Sequence, residues 1–106
     1  MKLQIGVKVL IKNSEGFYLF IKRSQLLPGS DQPSWDIPGG RIESEESLQT
    51  ALARELEEET GLSLLGEVVL INAQDIFVAS KDLHVVRLTY TTTLEATTVT
   101  LSDEHL

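Results

Sequence analysis

GRIESEESLQTALARELEEETGL, residues 40–62, decides how this chain reads. Leu48, Ala51, Leu52 and Leu56 recur at the i, i+3, i+4 and i+8 spacing of a helical stripe that faces a core, and neither Gly nor Pro interrupts Ser47 to Glu59. Ser44 reads as the N-cap, with Glu45 and Glu46 where carboxylates suit the positive end of the helix dipole. Thr60-Gly61 reads as the end, because Gly takes the left-handed cap.

The acids of this helix have unequal standing. At about 100° per residue, and relative to Leu48, Glu55 falls about 20° to one side, Glu59 about 20° to the other and Glu58 about 80° away, while Glu57 points the opposite way. Glu55, Glu58 and Glu59 therefore continue the apolar stripe inward. Like charges four residues apart repel, and anions in the last turn oppose the dipole, each by a few tenths to about 1 kcal/mol. A cation should offset this, and a hard divalent ion such as Mg2+ or Mn2+ prefers carboxylate oxygens. Arg54 stands next to Glu55 and can orient a carboxylate by charge-assisted hydrogen bonds. The plain alternative is a solvated acidic helix end; the angular placement, Arg54 and the upstream glycines argue against it. In Trp35-Asp36-Ile37-Pro38-Gly39-Gly40, Pro38 fixes a backbone angle and the glycines let main chain approach a ligand closely.

Composition sets the outer bounds. At 106 residues, one domain spanning 1–106 with a modest core is expected. Hydrophobic residues make up 42% and charged residues 24%, ordinary values for a soluble domain. Cysteine is absent, which excludes disulfides, thiol chemistry and thiolate zinc sites. Met1-Lys2-Leu3-Gln4 lacks the apolar stretch of a leader and no run approaches membrane-spanning length, so a cytoplasmic protein without a membrane partner is expected. A net charge of −7 argues against a nucleic-acid partner, which needs a basic footprint. It also opposes the approach of a polyphosphate unless a metal and local basic residues reverse the field.

Outside the helix the pattern is one of strands. Lys2 to Lys12 alternates, Asn13 to Gly16 reads as a turn, and Phe17 to Lys22 reads as a second strand completing a hairpin. Ser24 to Ser34 reads as a polar loop and Trp35 to Ile37 as a short extended piece. Glu67 to Ala79 and Leu83 to Leu94 read as paired strands around a turn at Ser80 to Asp82, with one more strand at Thr97 to Leu101. One helix among several strands indicates an α/β or α+β domain.

Residues 40–62 fit the pattern G-x5-E-x7-R-E-U-x-E-E-x-G-U, U being a bulky apolar residue, without gap or mismatch. Gly40, Glu46, Arg54, Glu55, Glu58, Glu59 and Gly61 fill the fixed positions and Leu56 and Leu62 the apolar ones. This resembles the signature of the Nudix hydrolases, and FYLFIKRS followed by WDIPGG resembles the strand and approach that precede it in many members. The resemblance implies an α/β fold, an α/β/α sandwich on a mixed β-sheet, in which the signature forms a loop-helix-loop. It implies Glu55, Glu58 and Glu59 as ligands of Mg2+ or Mn2+, with a carbonyl of Gly40 or Gly39 as a further ligand. Glu55 or another Glu would be the base that activates water, Arg54 would orient Glu55, and Glu46 would support the site. The implied reaction is attack of metal-activated water on a phosphorus of a nucleoside diphosphate linked to a group X. Candidate substrates are nucleoside triphosphates, oxidised ones included, dinucleoside polyphosphates and nucleotide sugars; nothing downstream of Leu62 singles one out.

Members of the family usually run longer than this chain. Residues 101–106 resemble the segment before their last strand and closing helix, so the C-terminal helix is expected to be lacking, in a shortened member or a fragment. Glu104 occupies the place from which a Glu reaches the metal centre in many relatives. A sheet face left open by the missing helix would favour a homodimer or strand exchange.

Away from the signature, Lys22, Arg23 and Arg41 flank the site in sequence as candidates to grip phosphates, against the ordinary reading of solvated strand ends. Trp35 is either a platform for a base or a core residue. Phe77 and Tyr90 read as packing, and His84 and His105 show no nearby partner that suggests a role. Two other functions stand beside hydrolysis. A catalytically weak or inactive domain serving as a nucleotide-binding regulatory module would typically lack the signature carboxylates, which this chain retains. A plain cation-binding protein would need the D-x-D-x-D-G loop pattern, which is absent.

Overall fold

The strands are β1 (Lys2–Lys12), β2 (Ile21–Leu26), β3 (Pro33–Asp36) and β4 (Gly39–Arg41), then, after helix α1 (Leu48–Thr60), β5 (Val69–Val78) and β6 (Leu83–Thr93). The computed structural model describes residues 1–26, 33–64 and 66–93. Four strands form one sheet in the order β4-β1-β6-β5, and β2 pairs with β3 in a second, two-stranded sheet. β1 and β6 run parallel, whereas β1–β4 and β5–β6 are antiparallel, so the main sheet is mixed. A parallel pair needs a crossover connection, and α1 lies in it. The α/β class and the mixed sheet are those expected; among the described residues α1 forms the one α-helical layer. That helix is too short and too polar to cross a membrane.

Strand alternation decides what β1 shows to each side. Val7, Val9 and Ile11 face α1 and are buried with Ala51, Leu52, Leu56 and Tyr90 of β6, making the core. Each aliphatic side chain buried in this way contributes about 1.5–3 kcal/mol. Leu48 packs against the same cluster, so the stripe read from the spacing is the core face of α1. The alternate residues Gln4, Gly6 and Lys8 lie on the other face of the sheet.

Both ends of α1 are capped by short-range chemistry. Ser47, not Ser44, is the N-cap: its hydroxyl accepts from the Thr50 N–H at 3.1 Å. Ser44 is displaced because residues 43–46 make a turn of their own, in which the Glu46 N–H donates to the Glu43 carbonyl and Glu45 has φ 66°. Glu45 and Glu46 thus precede the helix instead of lining its first turn. At the other end Gly61 takes φ 76° and its N–H reaches the Glu57 carbonyl at 2.9 Å, as the Thr60-Gly61 pair predicts.

The expected hairpin after β1 forms only at its turn. Asn13 to Gly16 reverses the chain, and the return contacts β1 through a Lys12–Tyr18 bridge and the Leu19 N–H on the Ile11 carbonyl. From Ile21 the chain leaves β1 and pairs with β3, which takes strand structure into the stretch read as a polar loop. The turn before β6 is a single 3-10 turn, Ala79–Lys81, closed by Asp82 at φ 49°. The strand expected at Thr97 to Leu101, together with Glu104 and His105, lies outside the described residues.

Candidate active site

Gly39 and Gly40, read as a turn from the sequence, open strand β4, and they and the last two turns of α1 meet because nothing projects from the glycines. Gly39 has φ 149°, and a Cβ there would collide with the Val7 carbonyl oxygen and stand 2.7 Å from the Lys8 Cα. At Gly40 a Cβ would fall 2.5 Å from the Glu55 Cδ. The carboxylate of Glu55 therefore occupies the space that any other residue at position 40 would fill.

Glu55, Glu57 and Glu59 take the places that the helical angles predict, whereas Glu58, expected to point inward, faces solvent. Glu59 is 5% exposed, and its carboxylate accepts from the Gly39 N–H at 2.7 Å. Glu55 is partly buried, the side chain of Glu58 is 56% exposed, and Glu57 faces solvent. A buried carboxylate must be hydrogen-bonded to be tolerated, and for Glu59 the glycine pair supplies a donor.

Arg54 gathers the others. Its Nε and Nη2 donate to the two oxygens of Glu46 at 2.7 and 3.0 Å, a bidentate pair. Nη1 donates to Glu55 at 2.9 Å and lies 3.5 Å from Glu58, and Nη2 also donates to the Arg41 carbonyl at 3.2 Å. Arg54 thus ties the helix to β4 and to the turn before α1. Hydrogen bonds from Arg54, and then from the Glu43 N–H, pull Glu46 from its ordinary 4.5 down to about 2. The same contacts, that with Glu46 foremost, hold the Arg54 guanidinium further above its ordinary range.

Four carboxylates thus crowd one guanidinium and one glycine pair. Among the described residues no three acidic or histidine side chains converge on a single point, since Glu55 and Glu58 lean on Arg54 and Glu59 on Gly39. The donor set itself fits a hard divalent cation: anionic oxygens at i, i+3 and i+4, beside a glycine whose missing Cβ keeps the approach open. Glu58, the most exposed of the three, has the room to swing toward an ion.

The remaining candidates divide. Lys22 is exposed, with its Nζ 5.9 Å from the centroid of the Trp35 ring. Trp35 is 65% exposed, so the core reading for it fails: β3 belongs to the small outer sheet. The Arg41 side chain is exposed at the end of β4, while its carbonyl is held by Arg54. The side chain of Arg23 lies outside the described residues, as does Glu104.

Sequence reasoning missed Lys8, Arg87 and His84. Lys8 is buried and pairs with Asp36 at 3.0 Å, and its Nζ also reaches the Ile37 carbonyl at 3.3 Å, pinning the approach to the glycine pair against β1. Arg87 lines a cleft with Lys8 and Arg41 on the sheet face away from α1. His84 does have a partner, Asp75 at 2.7 Å, and stacks at 4.5 Å on Phe77, which is 62% exposed and not the packing residue expected. Tyr90 is a packing residue as expected. Period-2 alternation alone carries a signal for Arg87, by placing it among residues that cannot face the core.

Comparison with known proteins agrees with this architecture. A family model described as NUDIX domain matches residues 2–106. The chain is 41% identical, over 56 residues, to a Bacillus subtilis (strain 168) protein proposed to be an 8-oxo-dGTP diphosphatase; the match covers 53% of this chain and 34% of the relative, about a third of its length. The fold is similar to that of the MutT protein from Methanosarcina mazei Go1, with TM-score 0.81 and 29% identity over 99% of this chain and 73% of the other. It is also similar to a MutT NUDIX hydrolase from Burkholderia pseudomallei, with TM-score 0.80 and 25% identity over 97% and 76% of the two chains.

Proposed function

This chain belongs to the NUDIX domain family, and we propose that it hydrolyses the diphosphate of nucleoside diphosphates linked to a group X, nucleoside triphosphates first among them. One observation carries the reading: Arg54 holds Glu46, Glu55 and Glu58 together at the turn of α1 that faces the side-chain-free Gly39-Gly40 strip. The similarity to a proposed 8-oxo-dGTP diphosphatase and to MutT proteins supports a nucleoside triphosphate, oxidised or not, over a nucleotide sugar.

Glu55, Glu58 and Glu59 are the residues assigned to hold Mg2+ or Mn2+, with a Gly40 carbonyl and, from the C-terminal residues, Glu104. A bound ion of this kind polarises phosphoryl oxygens and makes water more acidic. Glu55, oriented by Arg54, accepts the proton of the attacking water as the new P–O bond forms and the bridging P–O bond breaks. Arg54 keeps Glu55 from swinging away, and Glu46 in turn keeps Arg54 in place. Lys22, Arg23 and Arg41 are assigned to the phosphates and Trp35, exposed beside Lys22, to a base. A cytoplasmic location fits a nucleotide substrate.

The test is phosphate release from a panel of nucleoside triphosphates, oxidised triphosphates, dinucleoside polyphosphates and nucleotide sugars, with Mg2+ and with Mn2+. Replacing Glu58 by Gln removes a proposed metal ligand at a largely exposed position, so activity should fall at least about 100-fold while the fold persists. Wild type and Glu58→Gln equally inert on every compound would hand the case to the nucleotide-binding module.

A further inference from the structure

We infer that Arg41 and Arg87 form an anion clamp across Gly6, on the sheet face opposite α1, and that it takes a phosphate group of the substrate away from the cleaved bond. The inference rests on the proposed hydrolysis for its biological meaning, but its geometry is independent of the carboxylates.

Register places the clamp. Gly6 of β1 pairs with Arg41 of β4 on one side and with Arg87 of β6 on the other, and Arg87 pairs with Gln74 of β5. Directly paired residues project to the same face. Arg41, Gly6, Arg87 and Gln74 are therefore one row across the sheet, with a glycine between two arginines. At about 4.8 Å between strands, the two arginine α-carbons stand about 10 Å apart, and no side chain fills the floor between them. Lys8, one step further along the same face, adds a third positive charge, although it is already paired with Asp36.

The chemistry of this cleft selects its ligand. Among the described residues its polar side chains are those of Gln4, Lys8, Arg41 and Arg87, with no carboxylate. Among the described residues neither Arg41 nor Arg87 has a hydrogen-bond or ion-pair partner for its guanidinium. Two such guanidiniums in one cleft repel each other unless an anion lies between them, and forked N–H donors suit phosphate oxygens. In a chain of net charge −7 the cleft is a local reversal of the field. Its volume, about 170 Å³, is ample for a phosphate group. The Gly39-Gly40 strip borders the cleft on one side and meets Glu55 and Glu59 on the other, which joins clamp and carboxylates across the width of one strand.

Gly6 offers a test that spares the fold. A Cβ at Gly6 would meet nothing nearer than the Gly40 oxygen at 3.7 Å and Val85 Cγ1 at 4.0 Å, so Gly6→Ala fits while raising the floor of the clamp. Binding of inorganic diphosphate to the full chain would be measured calorimetrically in metal-free buffer, with Lys81→Gln, in the turn before β6, as the control for loss of one positive charge. Arg87→Gln and Gly6→Ala should each weaken diphosphate about tenfold or more, and Lys81→Gln should not. In hydrolysis of a nucleoside triphosphate, the loss in Arg87→Gln should fall on KM and not on kcat. Diphosphate binding equal in wild type, Arg87→Gln and Gly6→Ala, or undetectable in wild type, overturns the clamp even if hydrolysis is normal. Arg87-dependent binding in a chain that hydrolyses nothing keeps the clamp and overturns the proposed activity instead.

Discussion

Arg54 is the residue on which the carboxylates depend, and its tie to Glu46 has a pH signature. Glu46 is held at about 2 against an ordinary 4.5, so its contribution to stability is complete above about pH 4.5 and is lost as pH falls toward 2. Glu46→Gln should flatten the acid limb of a denaturation-versus-pH profile in that window and leave the neutral region less changed; an unaltered acid limb would count against the tie. The roles of Glu55, Glu57 and Glu59 are legible in the sequence because a helix places side chains by counting residues, a local rule. Lys8, Arg87 and His84 are not legible in the same way. Their neighbours stand on other strands, Asp36 of β3 for Lys8, Gly6 of β1 for Arg87 and Asp75 of β5 for His84, and no count along one strand reveals which residue of another stands opposite.

At the scale of the element, α1 holds its place through its caps as well as its stripe. Ser47→Ala removes the acceptor for the Thr50 N–H and should cost about 1 kcal/mol, read as a lower urea midpoint with unchanged slope. Ser44→Ala should cost much less, because Ser44 lies within the turn of residues 43–46 and does not cap the helix. Two serines three residues apart are equivalent to a propensity rule; the structure chooses Ser47 because Arg54 pulls Glu46 into the preceding turn. β1 and β6 fall within a residue of their sequence-read bounds, since their alternation is long and regular. β2 and β3 elude it. Ile21, read as the partner of β1, is buried and opens a strand that pairs with Asp36 instead.

At the scale of the whole molecule, β5 is the outer strand of the main sheet among the described residues, and Val69, Leu70, Ile71 and Phe77 on it are exposed. Its single charged residue, Asp75, is engaged by His84. Long apolar edges of this kind invite pairing with another chain. The homodimer expected from sequence therefore remains our proposal, with β5 as the place where it would form. Sedimentation at micromolar concentration should show a species of twice the monomer mass, and a single monomeric species at all concentrations would count against it.

The parallel ladder between β1 and β6 carries one more consequence, in time. Thr91 and Leu10, which meet across that ladder, are 81 residues apart in the chain. Pairings of such separation must meet the entropy of closing a large loop before any contact offsets it, and they slow folding. During synthesis β1 emerges first, yet its parallel neighbour arrives only after α1, β5 and the turn at Ala79–Lys81. The helix that carries the carboxylates can form early, but the strand it packs against waits for the last described strand before its sheet is complete.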